Sequence, residues 1–106
     1  MTSSTFTQSR NLLIAKARGT IAGLTEMDER SRPWTLSGGA GRDYNDARSR
    51  TAALSPHVAE YLPPEADIER GGDEQLWTKT TPDELLTYWH QLLEILQAIA
   101  DPGIQD

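Results

Sequence analysis

The segment that most constrains this chain of 106 residues is 81–103, TPDELLTYWHQLLEILQAIADPG. Thr81, Pro82, Asp83 and Glu84 spell a capping box with proline at the first helical position: the threonine hydroxyl accepts the glutamate amide and the glutamate side chain reaches back. Leu85, Trp89, Leu92, Leu96 and Ile99 then alternate steps of four and three residues, a heptad-like seam. Leu86, Leu93 and Ala100 recur every seven beside it. Asp101, Pro102 and Gly103 stop the helix. A helix over about 82–100 is therefore expected, with an apolar face wider than a bare coiled-coil stripe. Such a face fits a helix packed among several others, or one laid on a partner.

Chain length decides between few alternatives. At this size one domain is the natural expectation, and a domain this small buries only about two-thirds of its unfolded surface. The apolar fraction is 37%, which is lean. There is no cysteine, so disulfides and thiolate metal sites are excluded. No apolar run approaches the roughly 20 residues that span a bilayer, and no membrane association is expected. The N-terminus has no secretory apolar core. Its serines and threonines, with Arg10, Lys16 and Arg18 and no acid before Glu26, also fit a transit peptide, but they serve equally as a first helix. A cytoplasmic location is the default expectation.

Upstream of the last helix the signals are shorter. Phe6, Leu13, Ala17, Ile21 and Leu24 share one stripe, widened by Leu12, Ala15 and Ala22, which predicts a helix over about 5–24. Ala15, Ala17, Gly19 and Gly23 are small enough to let another helix come close. Residues 25–42 read as a loop, with Pro33 and the glycines at 38, 39 and 41 opposing a helix. Asp43 is placed as the N-cap of a short helix over about 43–53, built on Tyr44, Ala47, Thr51 and Leu54. Ser55 and Pro56 open another over about 56–62, closed by Pro63 and Pro64. Residues 63–76 read as an acidic loop. Trp34-Thr35 and Trp77-Thr78 sit in similar surroundings, and two such segments suit a small ribbon. The expected fold is all-α, a three- to four-helix bundle, with a minor two-stranded β-ribbon as the possible addition.

Charge is unevenly distributed. The net charge is −6. Residues 1–54 hold eight Lys and Arg against five acids, about +3, and residues 55–106 hold two bases against eleven acids, −9. This layout fits steering toward a charged partner or head-to-tail contact between copies, beside the plain reading of a solvated surface. The acidic balance argues against a nucleic-acid ligand.

Motifs for chemistry are few. The stretch SGGAGRD at 37–43 lacks the lysine of a P-loop and the third glycine of the dinucleotide fingerprint, which leaves a flexible loop, or an anion nest aided by Arg42, Arg48 or Arg50. His90 and Glu94 are four apart and can pair on one face. No metal-ligand pattern accompanies either histidine, and the acids of 60–74 do not align with a calcium loop. No metal and no cofactor is expected. Arg50 stands before His57 in RTAALSPH. This resembles the Arg-x(4–6)-His motif of HEPN-type ribonucleases, which are small helical proteins. The resemblance covers eight residues and implies His57 as general base and Arg50 as the phosphate-holding group of a metal-independent ribonuclease. The chemistry is reasonable for imidazole and guanidinium, but Ser55-Pro56 interrupts the helix between the two residues.

The leading expectation is a small non-catalytic protein that binds another protein: an assembly subunit, an adaptor, or a phage or bacterial inhibitor. A homo-oligomer through the last helix is its simplest form. Interfaces favour Trp, Tyr and Arg, so the candidate partner-binding residues are Trp34, Arg42, Tyr44, Arg48, Trp77, Trp89, Leu92 and Leu96. For Trp89 the core is the preferred place.

Overall fold

A computed structural model describes residues 5–27, 36–72 and 74–99. Helix α1 spans Thr5–Glu26, strand β1 Leu36–Ser37, helix α2 Gly38–Leu54, a short 3₁₀ helix Pro56–Tyr61, strand β2 Ile68–Arg70, strand β3 Leu76–Thr78 and helix α3 Pro82–Ala98. The three long helices form the bundle, and a small three-stranded sheet covers part of it. The fold is the expected helical bundle with a minor β-element.

Helix α3 forms as its sequence dictates. The Thr81 hydroxyl accepts the Glu84 amide at 3.1 Å, and the Glu84 carboxylate accepts the Thr81 amide at 3.3 Å. Asp83 and Glu84 occupy the first turn, where negative charge complements the helix dipole. Leu85, Trp89, Leu92, Leu96 and Ile99 are all buried, and Leu86 and Leu93 are half-buried. Each fully buried large side chain contributes about 1.5–3 kcal/mol. The helix ends at Ala98, with Ile99 capping it in extended backbone. Ala100 and the Asp101-Pro102-Gly103 stop lie outside the described residues.

Helix α1 packs chiefly on α3. Leu13, Ala17 and Leu24 are buried, while Phe6 and Ile21 are half-buried. The Arg10 guanidinium donates from Nη1 to the Ile99 carbonyl at 2.8 Å. A cation is thereby placed at the C-terminal end of α3, where the dipole favours it. Leu12, Ala15 and Ala22 do not widen this stripe; they are exposed. Leu12 lies about 100° around the helix from Leu13, far enough to leave the core.

Helix α2 corrects the expected loop at 25–42. It begins at Gly38, not at Asp43, and Ser37 is its N-cap. The reason is tertiary. A Cβ on Gly38 would lie 2.6 Å from the Leu76 Cβ, and one on Gly41 would lie 2.7 Å from the Thr78 Oγ1. The glycines let β3 run directly against the first turn of α2. Thr78 locks this contact: its hydroxyl accepts the Gly41 amide at 2.9 Å and donates to the Ser37 carbonyl at 2.6 Å. Residues 28–35 of the expected loop, Trp34 among them, lie outside the described residues.

The expected ribbon forms, with a third strand. The sheet order is β1-β3-β2, antiparallel throughout, with Leu36 opposite Thr78 on one side and Ile68 opposite Thr78 on the other. The expected acidic loop at 63–76 is thus partly sheet. Only Ile68 of β2 is half-buried, and Glu69 and Arg70 are exposed, so the sequence carries almost no alternation there. The reversal between β2 and β3 places Glu74 at φ 66, with its amide bonded to the Gly71 carbonyl at 3.0 Å.

After α2 the expected short helix over about 56–62 forms as a 3₁₀ helix over Pro56–Tyr61, although the Ser55 side chain makes no capping bond. Residues 63–66 then strap across α2. The Tyr44 hydroxyl donates to the Pro64 carbonyl at 2.8 Å, Arg48 Nε to the Pro63 carbonyl at 2.6 Å, and Asn45 exchanges two bonds with the Ala66 backbone at 2.8 and 3.1 Å. Tyr44 meets Trp89 edge-on, ring centroids 5.5 Å apart, the favoured geometry for such a pair.

Candidate functional site

The sequence-derived candidates divide sharply by position. Tyr44, Trp89, Leu92 and Leu96 are each 0% exposed. They are core, so no partner touches them while the chain is folded. The seam of α3 is buried within the chain, while Leu86 and Leu93 beside it stay half-buried. Arg48 is half-buried and holds the Pro63 carbonyl, with Glu65 at 3.6 Å; it serves the strap. Trp77 is half-buried on the central strand, and Arg42 is exposed near the start of α2. Trp34 lies outside the described residues.

Arg50 turns to Asp46, Nε to carboxylate at 2.9 Å. His57 is exposed on the 3₁₀ helix, beyond the extended Ser55, and no hydrogen bond joins it to Arg50. His90 and Glu94 are both exposed on α3 and form no pair. The glycine turn is no open nest, because the Gly41 amide is already held by Thr78 and Gly38 is buried beneath Leu76. Among the described residues no group of three or more His, Asp or Glu is placed to hold a metal ion. No helix among them is long and apolar enough to cross a membrane.

The feature the sequence did not announce is a groove between α1 and α2, of about 390 Å³. Ser9, Leu12, Leu13 and Lys16 line it from α1, and Arg50, Ala53 and Leu54 from α2. Leu13 and Leu54 belong to the packed interior or its margin, so the floor is apolar and fixed. Leu12 stands on the rim, 73% exposed. Lys16 and Arg50 put cations beside it. Each pairs with an aspartate of α2: Lys16 with Asp43 at 3.8 Å and Arg50 with Asp46 at 2.9 Å. Both are surface pairs of little energetic weight, so the cations can turn toward another anion. The overlooked signal was the helical neighbourhood of Leu12. Its neighbours one and two turns away are Gln8, Lys16 and Gly19, none of them large and apolar, which marks an outward leucine. Comparison with protein-family models, with curated proteins and with solved structures finds no match for this chain.

Proposed function

We propose that this chain is a non-catalytic protein-binding module, of the assembly-subunit, adaptor or inhibitor kind, and that it binds through the groove between α1 and α2. The observation that carries the reading is Leu12, 73% exposed beside an apolar groove in a chain whose last helix buries its whole seam inside. A single exposed leucine is ordinary on a protein surface. One placed over a preformed apolar cleft with flanking cations has the make-up of a small interface: an apolar centre and a polar rim.

The test compares Leu12→Glu with Leu92→Asp in a tagged capture from native extract, with helicity and thermal unfolding followed in parallel. Leu12→Glu is expected to keep wild-type helicity and to lose the captured protein. Leu92→Asp puts a charge in the core and is expected to unfold the chain. Undiminished capture by a folded Leu12→Glu variant would refute the groove as the binding face.

A further inference from the structure

We infer that the face of α1 and α3 turned away from α2 is a dimer interface, covered by the same face of a second copy about a two-fold axis. The layers of the fold leave this face over. The sheet and the 3₁₀ helix pack on α2, while α1 and α3 pack chiefly on each other and on α2. Ser9 and Lys16 of α1 line the groove against α2, and Tyr88 of α3 meets Tyr44 of α2, ring centroids 5.9 Å apart. Ile14 and Ile21 lie about 120–160° around α1 from Ser9 and Lys16. Leu86 and Leu93 lie about 140–160° around α3 from Tyr88. Both pairs are thereby carried past the buried seam to the far side of the bundle, where all four stop half-buried.

This stripe is self-complementary. The members of each pair are seven residues apart, the spacing that packs against another helix of the same period. Arg10 of α1 donates to the Ile99 carbonyl at the C-terminal end of α3, so two helices packed along their lengths must run antiparallel. Ile14 then lies toward Leu93, and Ile21 toward Leu86. A two-fold axis parallel to the helices sets α1 of each copy antiparallel over α3 of the other, Ile14 over Leu93 and Ile21 over Leu86, as in an up-and-down four-helix bundle. The rim charges match in the same arrangement. Arg18 stands between Ile14 and Ile21 on the outer edge of α1, and Glu94 follows Leu93 on the outer edge of α3. Both are exposed, and no ion pair engages either among the described residues. The axis brings Arg18 of each copy to Glu94 of the other, so the contact is made twice. The face is two helices wide and about 25 Å long, the length of α3. Two such faces bury roughly 1,000 Å² in all, the lower bound for a specific pair, with a dissociation constant on the order of 10–100 µM. The groove beside Leu12 lies on the α2 side of α1 and stays open in the dimer, so this inference is independent of the binding role given to it.

Sedimentation velocity of the full chain, from about 5 to about 500 µM at low salt and at a pH where imidazole is neutral, tests this with wild type, Arg18→Glu and Glu94→Arg. Both substituted side chains are exposed, and unchanged circular dichroism confirms that the variants fold. The wild type is expected to reach the mass of a dimer and to stop there, because a two-fold contact closes on itself. Each variant alone sets like charges face to face at both contacts and is expected to associate at least about tenfold more weakly. An equimolar mixture of the two variants sets opposite charges face to face at both contacts, and is expected to dimerise about as tightly as wild type. A wild type that stays monomeric or grows beyond a dimer, a variant that associates like wild type, or variants that stay apart when mixed would overturn the inference.

Discussion

Four glycines in two helices are expected to respond to alanine with opposite signs, and the difference tests the packing of the sheet on α2. Gly19 and Gly23 lie inside α1, and a Cβ at either would meet nothing within 4 Å. Alanine there gains only helix propensity, about 1 kcal/mol, which at this chain length raises the melting temperature by about 4–8 °C. Gly38 has the same chemistry and a different neighbour. Its added Cβ would fall 2.6 Å from the Leu76 Cβ and 3.0 Å from the Leu76 carbonyl oxygen. Normal contact begins near 3.5 Å, so β3 would have to retreat by something approaching 1 Å. Overpacking of this kind costs about 1–3 kcal/mol. The retreat also strains the Thr78 hydroxyl bridge to Gly41 and Ser37, whose bonds contribute on the order of 1 kcal/mol each. The net expectation for Gly38→Ala is a loss of about 2–4 kcal/mol. Gly41→Ala collides with a side chain and not with backbone, at 2.7 Å from the Thr78 Oγ1. Its loss is expected to be smaller, about 1–3 kcal/mol. Urea unfolding followed by far-ultraviolet circular dichroism measures all four. A Gly38→Ala variant as stable as wild type would show that β3 does not rest on the first turn of α2, and the account of why α2 starts there would fall with it.

Two further predictions concern single side chains. Burial pushes the Tyr44 phenol well above its ordinary value, opposed in part by Arg48 and reinforced by Tyr88 and Glu65. The folded chain thus keeps a proton that the unfolded chain releases above about pH 10. Stability from this group is complete below that pH and declines as pH rises beyond it toward the folded value. Tyr44→Phe is expected to remove that alkaline slope, and to cost about 1 kcal/mol at neutral pH for the lost bond to the Pro64 carbonyl; an unchanged alkaline slope in urea titrations would contradict the assignment. Glu74 occupies left-handed backbone at φ 66, where a side chain is strained by about 1 kcal/mol. Glu74→Gly is expected to raise the midpoint of unfolding slightly, and a fall of more than about 1 kcal/mol would mean that the carboxylate does something for the turn that outweighs the strain.

How much of this was legible in the sequence depended on whether the physics was local. The last helix was readable to within about two residues, because its capping box, proline and apolar period all act within a few residues of one another. The ribbon was readable from the repeated Trp-Thr, although pairing was established only for Leu36 and Ser37 with Thr78 and Trp77. The start of α2 was not readable. Three glycines in a row of four ordinarily oppose a helix, and here they are tolerated because a strand forty residues later needs the space their missing Cβ atoms leave. Strand β2 was hidden for a related reason: with one half-buried residue, Ile68, it draws its order from the hydrogen bonds of β3 and not from its own side chains. The groove was not readable because Leu12, with Ala15 and Ala22, sits at the margin of the α1 stripe, and the fold turns that margin outward.

The burial of α3 changes where function should be sought. An apolar helix in a small chain suggests an interface, yet the folded core takes every member of its seam. Disruption of α3 would abolish binding and folding together and so would teach nothing about a partner. The exposed positions behave differently. Leu12 and Tyr61 contribute little to the core, so changes there leave the fold in place and report on binding alone.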